Sequence, residues 1–144
     1  MLITVRPRVK GSGALPYSCE WIVPGRVLYG RTGEVLSAAD VAAFSRAGSN
    51  MVGESGIPPV YFIGDLRALR HAPVNLAQLR RVLTERHAHD IACYIIIVQQ
   101  PIYGFMAAAL VKLMHRPVQI VHDEAGALAA LRALEPELVV SLHG

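Results

Sequence analysis

The sequence is poor in cysteine, in charged residues and in aromatic residues. Its two cysteines, Cys19 and Cys93, have no metal-ligand spacing and form no disulfide framework, so we expect free thiols in a reducing compartment. Charged residues make up only 17% of the chain, against 53% hydrophobic residues, which excludes a disordered polyelectrolyte. The net charge of +3 is too small and too dispersed for the basic stripe of a nucleic-acid-binding protein.

Signatures of catalysis, metal binding and cofactor binding are also missing. There is no Gly-x-Ser-x-Gly elbow, no Walker loop and no Gly-x-Gly-x-x-Gly fingerprint after a strand. His87 and His89 are two residues apart, whereas a helical metal site needs a spacing of four. The sequence therefore predicts no enzyme, no cofactor and no metal centre.

The chain has one long uncharged stretch, residues 91–111, but it does not have the pattern of a membrane span. Gln99, Gln100 and Pro101 lie in its middle, where hydrocarbon would penalise two amides and a helix breaker. We expect a buried strand, a turn and a helix there. The first residues lack the apolar segment of a secretory signal, so we expect a cytoplasmic protein.

An abundance of apolar residues points instead to a sheet that is covered on both faces. Residues 18–23 and 26–31 are short strand-like runs separated by Pro24 and Gly25, which predicts an antiparallel hairpin. Ser37 followed by Asp40 predicts a capping box at the start of a helix.

Beyond residue 60, strand and helix patterns alternate three times. This alternation predicts parallel strands with right-handed crossovers, and hence a mixed sheet. Residues 102–114 have helical spacing, and this helix either covers the sheet, which is the simpler use, or is partly exposed and mediates a homodimer. The apolar residues that share the spacing are Ile102, Phe105, Met106, Ala109, Leu110, Leu113 and Met114. The predicted strands are 60–63, 92–98 and 118–121, and the predicted helices are 76–83, 102–114 and 125–131.

This order of elements resembles the STAS domain, which is shared by anti-sigma-factor antagonists and the tails of sulfate transporters. Three stretches carry the resemblance: 25–34 looks like the family's second strand, 60–66 like its central strand with a terminal Asp-Leu pair, and 117–131 like its last strand and helix. The resemblance implies one domain over residues 1–144, with an irregular segment 1–17 and a core at about 18–135. It also implies an α/β fold in which about four helices cover the mixed sheet.

The chain departs from the regulatory members of the family at one position. Those members carry a phosphorylatable Ser or Thr in an Asp-Ser-Ser-Gly-like segment after the central strand. Here the corresponding residues are Pro73, Val74, Asn75 and Leu76, none of which has a hydroxyl group. Phosphorylation at this position is therefore excluded, although Pro73 and Asn75 can still begin a helix and contact a partner.

Polar residues follow several of the predicted strands, where ligands gather in open α/β sheets. They either form a crevice there or, as we expect for most polar residues at strand ends, serve in capping and turn formation. Five arginines lie close together in the sequence and form either a surface for an anionic partner or a solvated helix face. They are Arg67, Arg70, Arg80, Arg81 and Arg86. The candidate crevice residues are Asp65, Gln99, Gln100, Tyr103, His122 and Asp123.

Three functions follow from these observations. The first is a non-catalytic, cytoplasmic regulatory module of bacterial STAS type that binds another protein or a second copy of itself, with no phospho-switch. The second is a binding domain for a small anionic or lipid-like molecule in the strand-end crevice. The third is an enzyme in which His122 and either Asp123 or Asp65 act as an acid–base pair.

Overall fold

The structure is a computed structural model that describes residues 4–5, 16–72 and 90–138, together with Asn75, Ala77 and Arg80. Of the predicted helix at 76–83, only Ala77 and Arg80 are described, and both have helical conformation. Pro73 and the histidines at 87 and 89 lie outside the described residues. The described chain forms six strands and three helices. In chain order these are β1 Thr4–Val5, β2 Tyr17–Val23, β3 Val27–Thr32, α1 Ala38–Ser55, β4 Val60–Asp65, β5 Ile91–Ile97, α2 Pro101–Leu113, β6 Val118–Val121 and α3 Glu124–Leu134.

All six strands belong to one mixed sheet, in which their spatial order is their order along the chain. β1, β2 and β3 pair antiparallel, whereas β3, β4, β5 and β6 pair parallel. The predicted turn joins β2 to β3, with Gly25 at a φ of +74°, a left-handed conformation that favours glycine. The prediction of a hairpin followed by parallel strands is therefore confirmed.

Helices cover both faces of the sheet. α1 and α2 lie on one face, where the buried residues include Trp21, Leu28 and Ile96. α3 lies on the other face, where Ala127 and Leu131 pack with the apolar residues of β3, β4 and β5. Because side chains alternate between the two faces, these central strands are apolar at nearly every position, as the composition predicted.

The ends of α1 are held by side-chain hydrogen bonds. At its start, Asp40 N donates to Ser37 Oγ at 3.0 Å and Ser37 N donates to Asp40 Oδ2 at 2.9 Å, which is the predicted capping box. In its last turn, Ser55 Oγ accepts a 3.0 Å hydrogen bond from the indole nitrogen of Trp21. The bond between Ser55 and Trp21 joins α1 to the hairpin.

α2 packs on the sheet with one side only and is partly exposed on the other, which is one of the two predicted alternatives. Met106 is buried, but Ile102, Phe105 and Leu113 are exposed by 51%, 70% and 46% of their surface. Tyr103 and Val111 are buried instead. Because the helix is apolar on all sides as far as Lys112, its sequence has no polar face by which the buried side could be recognised.

The helix count differs from the prediction of about four because only three helices lie within the described ranges. Each of the three is too short or too polar to cross a membrane.

Glycine is required where α1 approaches the sheet. A Cβ atom on Gly30, in β3, would lie 2.7 Å from the ring of Phe44 and 2.8 Å from the ring of Phe62. These rings form part of a row in which Tyr17 stacks on Phe44 and Phe62 contacts Tyr94. Gly30 therefore sets the distance between α1 and the sheet.

Gly48, in the middle of α1, has a different environment. A Cβ atom there would lie 3.8 Å from Leu28 and Phe62, which is an ordinary contact. Glycine costs about 1 kcal/mol relative to alanine inside a helix, and no close contact offsets this cost. We expect Gly48→Ala to raise the free energy of unfolding by about 1 kcal/mol in urea titrations.

Gly30→Ala is the matched variant, because it adds the same methyl group on the same face of the sheet. We expect it to lower the free energy of unfolding by about 1–3 kcal/mol, since the aromatic rings must move. An equal effect of the two substitutions would contradict this account of α1 packing.

Candidate functional site

Asp65 is the last residue of β4, and its side chain points to the face that α3 covers. It is 3% exposed. Its Oδ1 accepts hydrogen bonds from Arg67 N at 3.1 Å and Arg67 Nε at 3.0 Å, and its Oδ2 accepts from Arg67 Nη2 at 2.7 Å and from the hydroxyl of Tyr29. Because a carboxylate accepts about four hydrogen bonds, no acceptor position of Asp65 is left for a ligand.

The negative charge of Asp65 is balanced by the positive charge of Arg67. Burial by itself would raise the pKa of Asp65, but the hydrogen bonds from Arg67 and Tyr29 outweigh it and bring the pKa below its usual value. The hydrogen bond to Asp65 in turn raises the pKa of Arg67. Asp65 is therefore an anion in an ion pair at neutral pH.

This ion pair also positions α3. Arg67 Nη2 lies 2.9 Å from Oε1 of Glu124, in the first turn of α3. At the opposite end of the helix, Glu135 pairs with Arg26 in the hairpin turn. The Asp65–Arg67–Glu124 cluster thus holds α3 on the sheet, which is a structural role. Tyr29 and Glu124 were not predicted, because their partners are far away in the sequence.

Arg31 is the only other cation that the structure places beside this cluster within the described ranges. Its Nε lies 3.8 Å from Asp65 Oδ2, and its guanidinium lies 5.4 Å from the centre of the Tyr29 ring. Its side chain is half exposed, so this contact is a weak surface pair.

Tyr103 and Gln100 lie on the opposite side of the sheet from Asp65. The hydroxyl of Tyr103 donates to the carbonyl oxygen of Arg70 at 2.6 Å, and Gln100 Nε2 lies 3.5 Å from the carbonyl oxygen of Leu69. Tyr103 belongs to the apolar cluster beneath α1 and α2. These side chains therefore hold the loop after β4 and do not meet the carboxylate of Asp65.

His122 and Asp123 are adjacent but have separate contacts. Asp123 Oδ1 accepts a 2.7 Å hydrogen bond from Gly126 N, so Asp123 is the N-cap of α3. Nδ1 of the exposed His122 lies 3.3 Å from the carbonyl oxygen of Val98. Asp65 and Asp123, the two predicted acid–base partners of His122, thus bond to other groups.

The remaining predicted contact residues are on the surface. Asn75 and Arg80 are exposed. Arg70 is also exposed, with its Nε 3.9 Å from Glu34 Oε1. Pro73, Arg81 and Arg86 lie outside the described residues, so a common surface for these arginines stays a prediction.

Gln99, Gln100 and His122 come together with apolar residues in an open groove between α2 and β6, with a volume of about 300 Å³. We call it the α2–β6 groove. A Cβ atom on Gly104 would lie 3.0 Å from Val98 and 3.6 Å from Ile120, so α2 lies close to the sheet at this side of the groove. The residues that line it are Val98, Gln99, Gln100, Pro101, Gly104, Phe105, Ala108, Ile120 and His122.

Large apolar side chains are exposed in and beside this groove. Phe105 is 70% exposed and Ile120 is 39% exposed, and Ile102 and Leu113 extend the apolar surface along α2. Among the described strands, β6 pairs only with β5, so its other edge is free. Large exposed apolar patches are common at interaction sites.

The structural role of Asp65 can be tested by its pH dependence. Because the pKa of Asp65 is lowered by folding, its ionisation stabilises the fold above pH 4 and this contribution is lost as the pH falls through the folded pKa. We expect Asp65→Asn to lower the free energy of unfolding by about 2 kcal/mol at pH 7 and by less at pH 3.

Urea titrations at both pH values measure this difference. Glu34→Gln is the control, because it neutralises an exposed acid that is 3.9 Å from an arginine, and we expect no measurable change at either pH. An Asp65→Asn effect that is equal at pH 7 and pH 3 would show that the charge of Asp65 does not stabilise the fold.

Comparison with known proteins gives matches among solved structures alone. No protein-family model and no curated protein matches this sequence. One similar structure is an uncharacterised protein of the DUF3478 family with a SpoIIAA-like fold, from Shewanella loihica. It is 13% identical, the match covers 90% of this chain and 93% of that chain, and the TM-score is 0.55.

A second similar structure is the anti-sigma factor antagonist SpoIIAA in its unphosphorylated form. It is 14% identical to this chain, the match covers 81% of this chain and 96% of that chain, and the TM-score is 0.54. Identities this low establish a shared fold and leave function to be argued from the site. The chain has the SpoIIAA-like fold, which is the fold of STAS domains.

Proposed function

We propose that this chain is a non-catalytic regulatory module of STAS type that binds another protein through the α2–β6 groove. The observation that carries the proposal is the exposure of Phe105, Ile102 and Ile120 on adjacent elements. Keeping such side chains in water is unfavourable, and a protein partner that covers them gains the free energy of their burial.

The composition of the groove suits a protein partner. Its centre is apolar, and Gln99, Gln100 and His122 lie at the carboxyl ends of the strands. Protein interfaces commonly combine an apolar centre with a polar rim that orients the partner. The free edge of β6 also offers main-chain donors and acceptors to an extended segment.

The polar residues support a regulatory role better than a catalytic one. The carboxylates of Asp65 and Asp123 are occupied by an ion pair and by a helix cap. Within the described ranges, neither carboxylate is available as a general base for His122, and the cations beside Asp65 are paired with it. An anion site in the strand-end crevice is therefore the less favoured alternative.

The fold supplies the analogy for regulation. SpoIIAA, with the same fold, is an anti-sigma factor antagonist. In this chain, Pro73, Val74 and Asn75 occupy the segment that carries the phosphorylated residue in regulatory members of that family. We propose a cytoplasmic module whose partner binding is not controlled by phosphorylation at this position.

Phe105→Glu tests the groove directly, because it places a charge at the centre of the apolar surface. Ile57→Glu is the matched control, since Ile57 is 62% exposed but precedes β4 at the opposite end of the sheet. Light scattering on the purified wild-type chain first establishes whether a second copy is the partner. Affinity capture from the host's extract, with quantitative mass spectrometry, then identifies any other protein.

We expect Phe105→Glu to weaken self-association or capture at least about tenfold, because buried aromatic residues contribute most to interface stability. We expect Ile57→Glu to behave as wild type, and both variants to keep the wild-type unfolding midpoint. If both variants retain the same partner as strongly as wild type does, the groove is not the binding surface.

A further inference from the structure

β6 lies at the outer edge of the parallel strands and has none of the usual protection against further pairing. Natural proteins block such edges with charged side chains, proline or a bulge. β6, Val118–Val121, contains neither a charged residue nor proline, and its register with β5 is regular. Residues 98–124, which include α2 and β6, are described throughout, and within the described ranges no strand pairs with the outer edge of β6.

The backbone groups on this outer edge belong to the even-numbered residues of β6. The carbonyl oxygens of Pro117 and Val121 each accept a 3.0 Å hydrogen bond from an N–H group of the neighbouring chain segment 94–98, so these two residues face β5. Successive residues of a strand direct their N–H and C=O groups to opposite edges. Val118 and Ile120 therefore direct these groups away from β5, where a further strand can pair with them.

Apolar side chains adjoin the same edge. Ile120 is 39% exposed, and its Cγ2 atom would lie 3.6 Å from a Cβ atom on Gly104, so Ile120 is level with this residue of α2. Phe105, the next residue of α2, is 70% exposed and lines the α2–β6 groove together with Ile120. No Asp, Glu, Lys or Arg is among the described residues that line the groove. This composition suits a second copy of the chain, because a charge near a two-fold axis would face its own image.

The charges at the two ends of β6 favour a second copy in antiparallel orientation. Lys112 and Arg116 precede the strand, and Asp123 and Glu124 follow it, with Glu124 already paired to Arg67. When β6 pairs antiparallel with β6 of another copy, the basic end of each strand lies beside the acidic end of the other. Parallel pairing would instead bring like charges together, which is unfavourable.

We propose that two copies of this chain join edge to edge through β6, antiparallel, about a two-fold axis at Ile120, so that their two sheets become one. This register pairs Ile120 with Ile120 of the other copy and uses the outward backbone groups of Val118 and Ile120. α2 packs on both β5 and β6, so the α2 helices of the two copies lie about 10 Å apart, a normal packing distance for helices. Phe105 of each copy is buried at this contact. The inference rests on the proposed function, because it names the partner of the α2–β6 groove.

The first test is sedimentation equilibrium of the full chain over protein concentrations from micromolar to millimolar. Ile120→Lys and Ile120→Glu each place like charges against each other at the axis, which destabilises paired strands. An equimolar mixture of the two variants places opposite charges there. Ile57→Lys is the control, because Ile57 is 62% exposed at the opposite end of the sheet.

We expect wild type and Ile57→Lys to dimerise with the same dissociation constant. Each Ile120 variant alone should dimerise at least about tenfold more weakly, because the apolar contact is replaced by repulsion. The mixture should dimerise at least about tenfold more tightly than either variant alone, because attraction replaces the repulsion. All variants should keep the wild-type unfolding midpoint, since Ile120 and Ile57 are both exposed in the single chain.

Cysteine variants test the register. Ile120→Cys places two thiols across the axis, where the Cα atoms of a hydrogen-bonded pair are about 5.5 Å apart, a distance that a disulfide spans. Gln119→Cys is the matched control, because residue 119 then lies opposite Val121 of the other copy. Cys19 and Cys93 are buried and do not compete. With oxidised glutathione as the oxidant, we expect Ile120→Cys to form covalent dimers several-fold faster than Gln119→Cys.

The proposal is overturned if the wild type stays monomeric at every concentration, or if Ile120→Lys dimerises as tightly as the wild type. It is also overturned if the two charged variants do not pair with each other, or if Gln119→Cys cross-links faster than Ile120→Cys. These failures differ from a failure of the proposed function. A monomeric chain that captures another protein, and loses it in Phe105→Glu, retains the α2–β6 groove as a protein-binding site but not the two-fold pairing.

Discussion

The architecture depends on the burial of β3, β4 and β5 on both faces of the sheet. Each of these strands directs successive side chains to opposite faces, so each needs apolar cover above and below. α1 and α2 supply the cover on one face and α3 supplies it on the other. The close approach of α1 at Gly30 and the ion pairs at both ends of α3 hold the two layers in place.

The same alternation determines what the polar residues at the strand ends can do. Asp65 has the side-chain direction of Ile63 and lies beneath α3, where Arg67 and Tyr29 satisfy it. Tyr103 lies on α2 and packs against the other face. The sequence places Asp65 and Tyr103 together at one edge of the sheet, but in the structure the sheet itself separates them. Their hydrogen bonds stabilise loops and helix ends, and this leaves no assembled acid–base pair.

The apolar surface of α2 gives the fold its most distinctive feature. A helix that only covers a sheet needs one apolar side, but α2 is apolar on all sides up to Lys112. One side packs on the sheet, and the other exposes Phe105 beside β6. The proposed protein site therefore lies on the side of the helix that faces away from the sheet.

Local chemistry was sufficient to predict the fold. The Pro24–Gly25 turn, the Ser37–Asp40 capping box and the alternation of strand and helix patterns each depend on residues close together in the sequence, and the structure has all three. The resemblance to STAS domains, which rests on the order of those elements, agrees with the fold of the similar structures.

The candidate site was less predictable, because its properties depend on contacts between distant residues. The sequence by itself determined which polar residues follow the strands, and that residues 73–76 carry no hydroxyl group. Only the tertiary structure decided that Arg67 bridges Asp65 and Glu124 and that Phe105 faces water. The physical reason is that burial and charge pairing depend on which elements pack together, and a uniformly apolar helix such as α2 carries no local signal of its buried side.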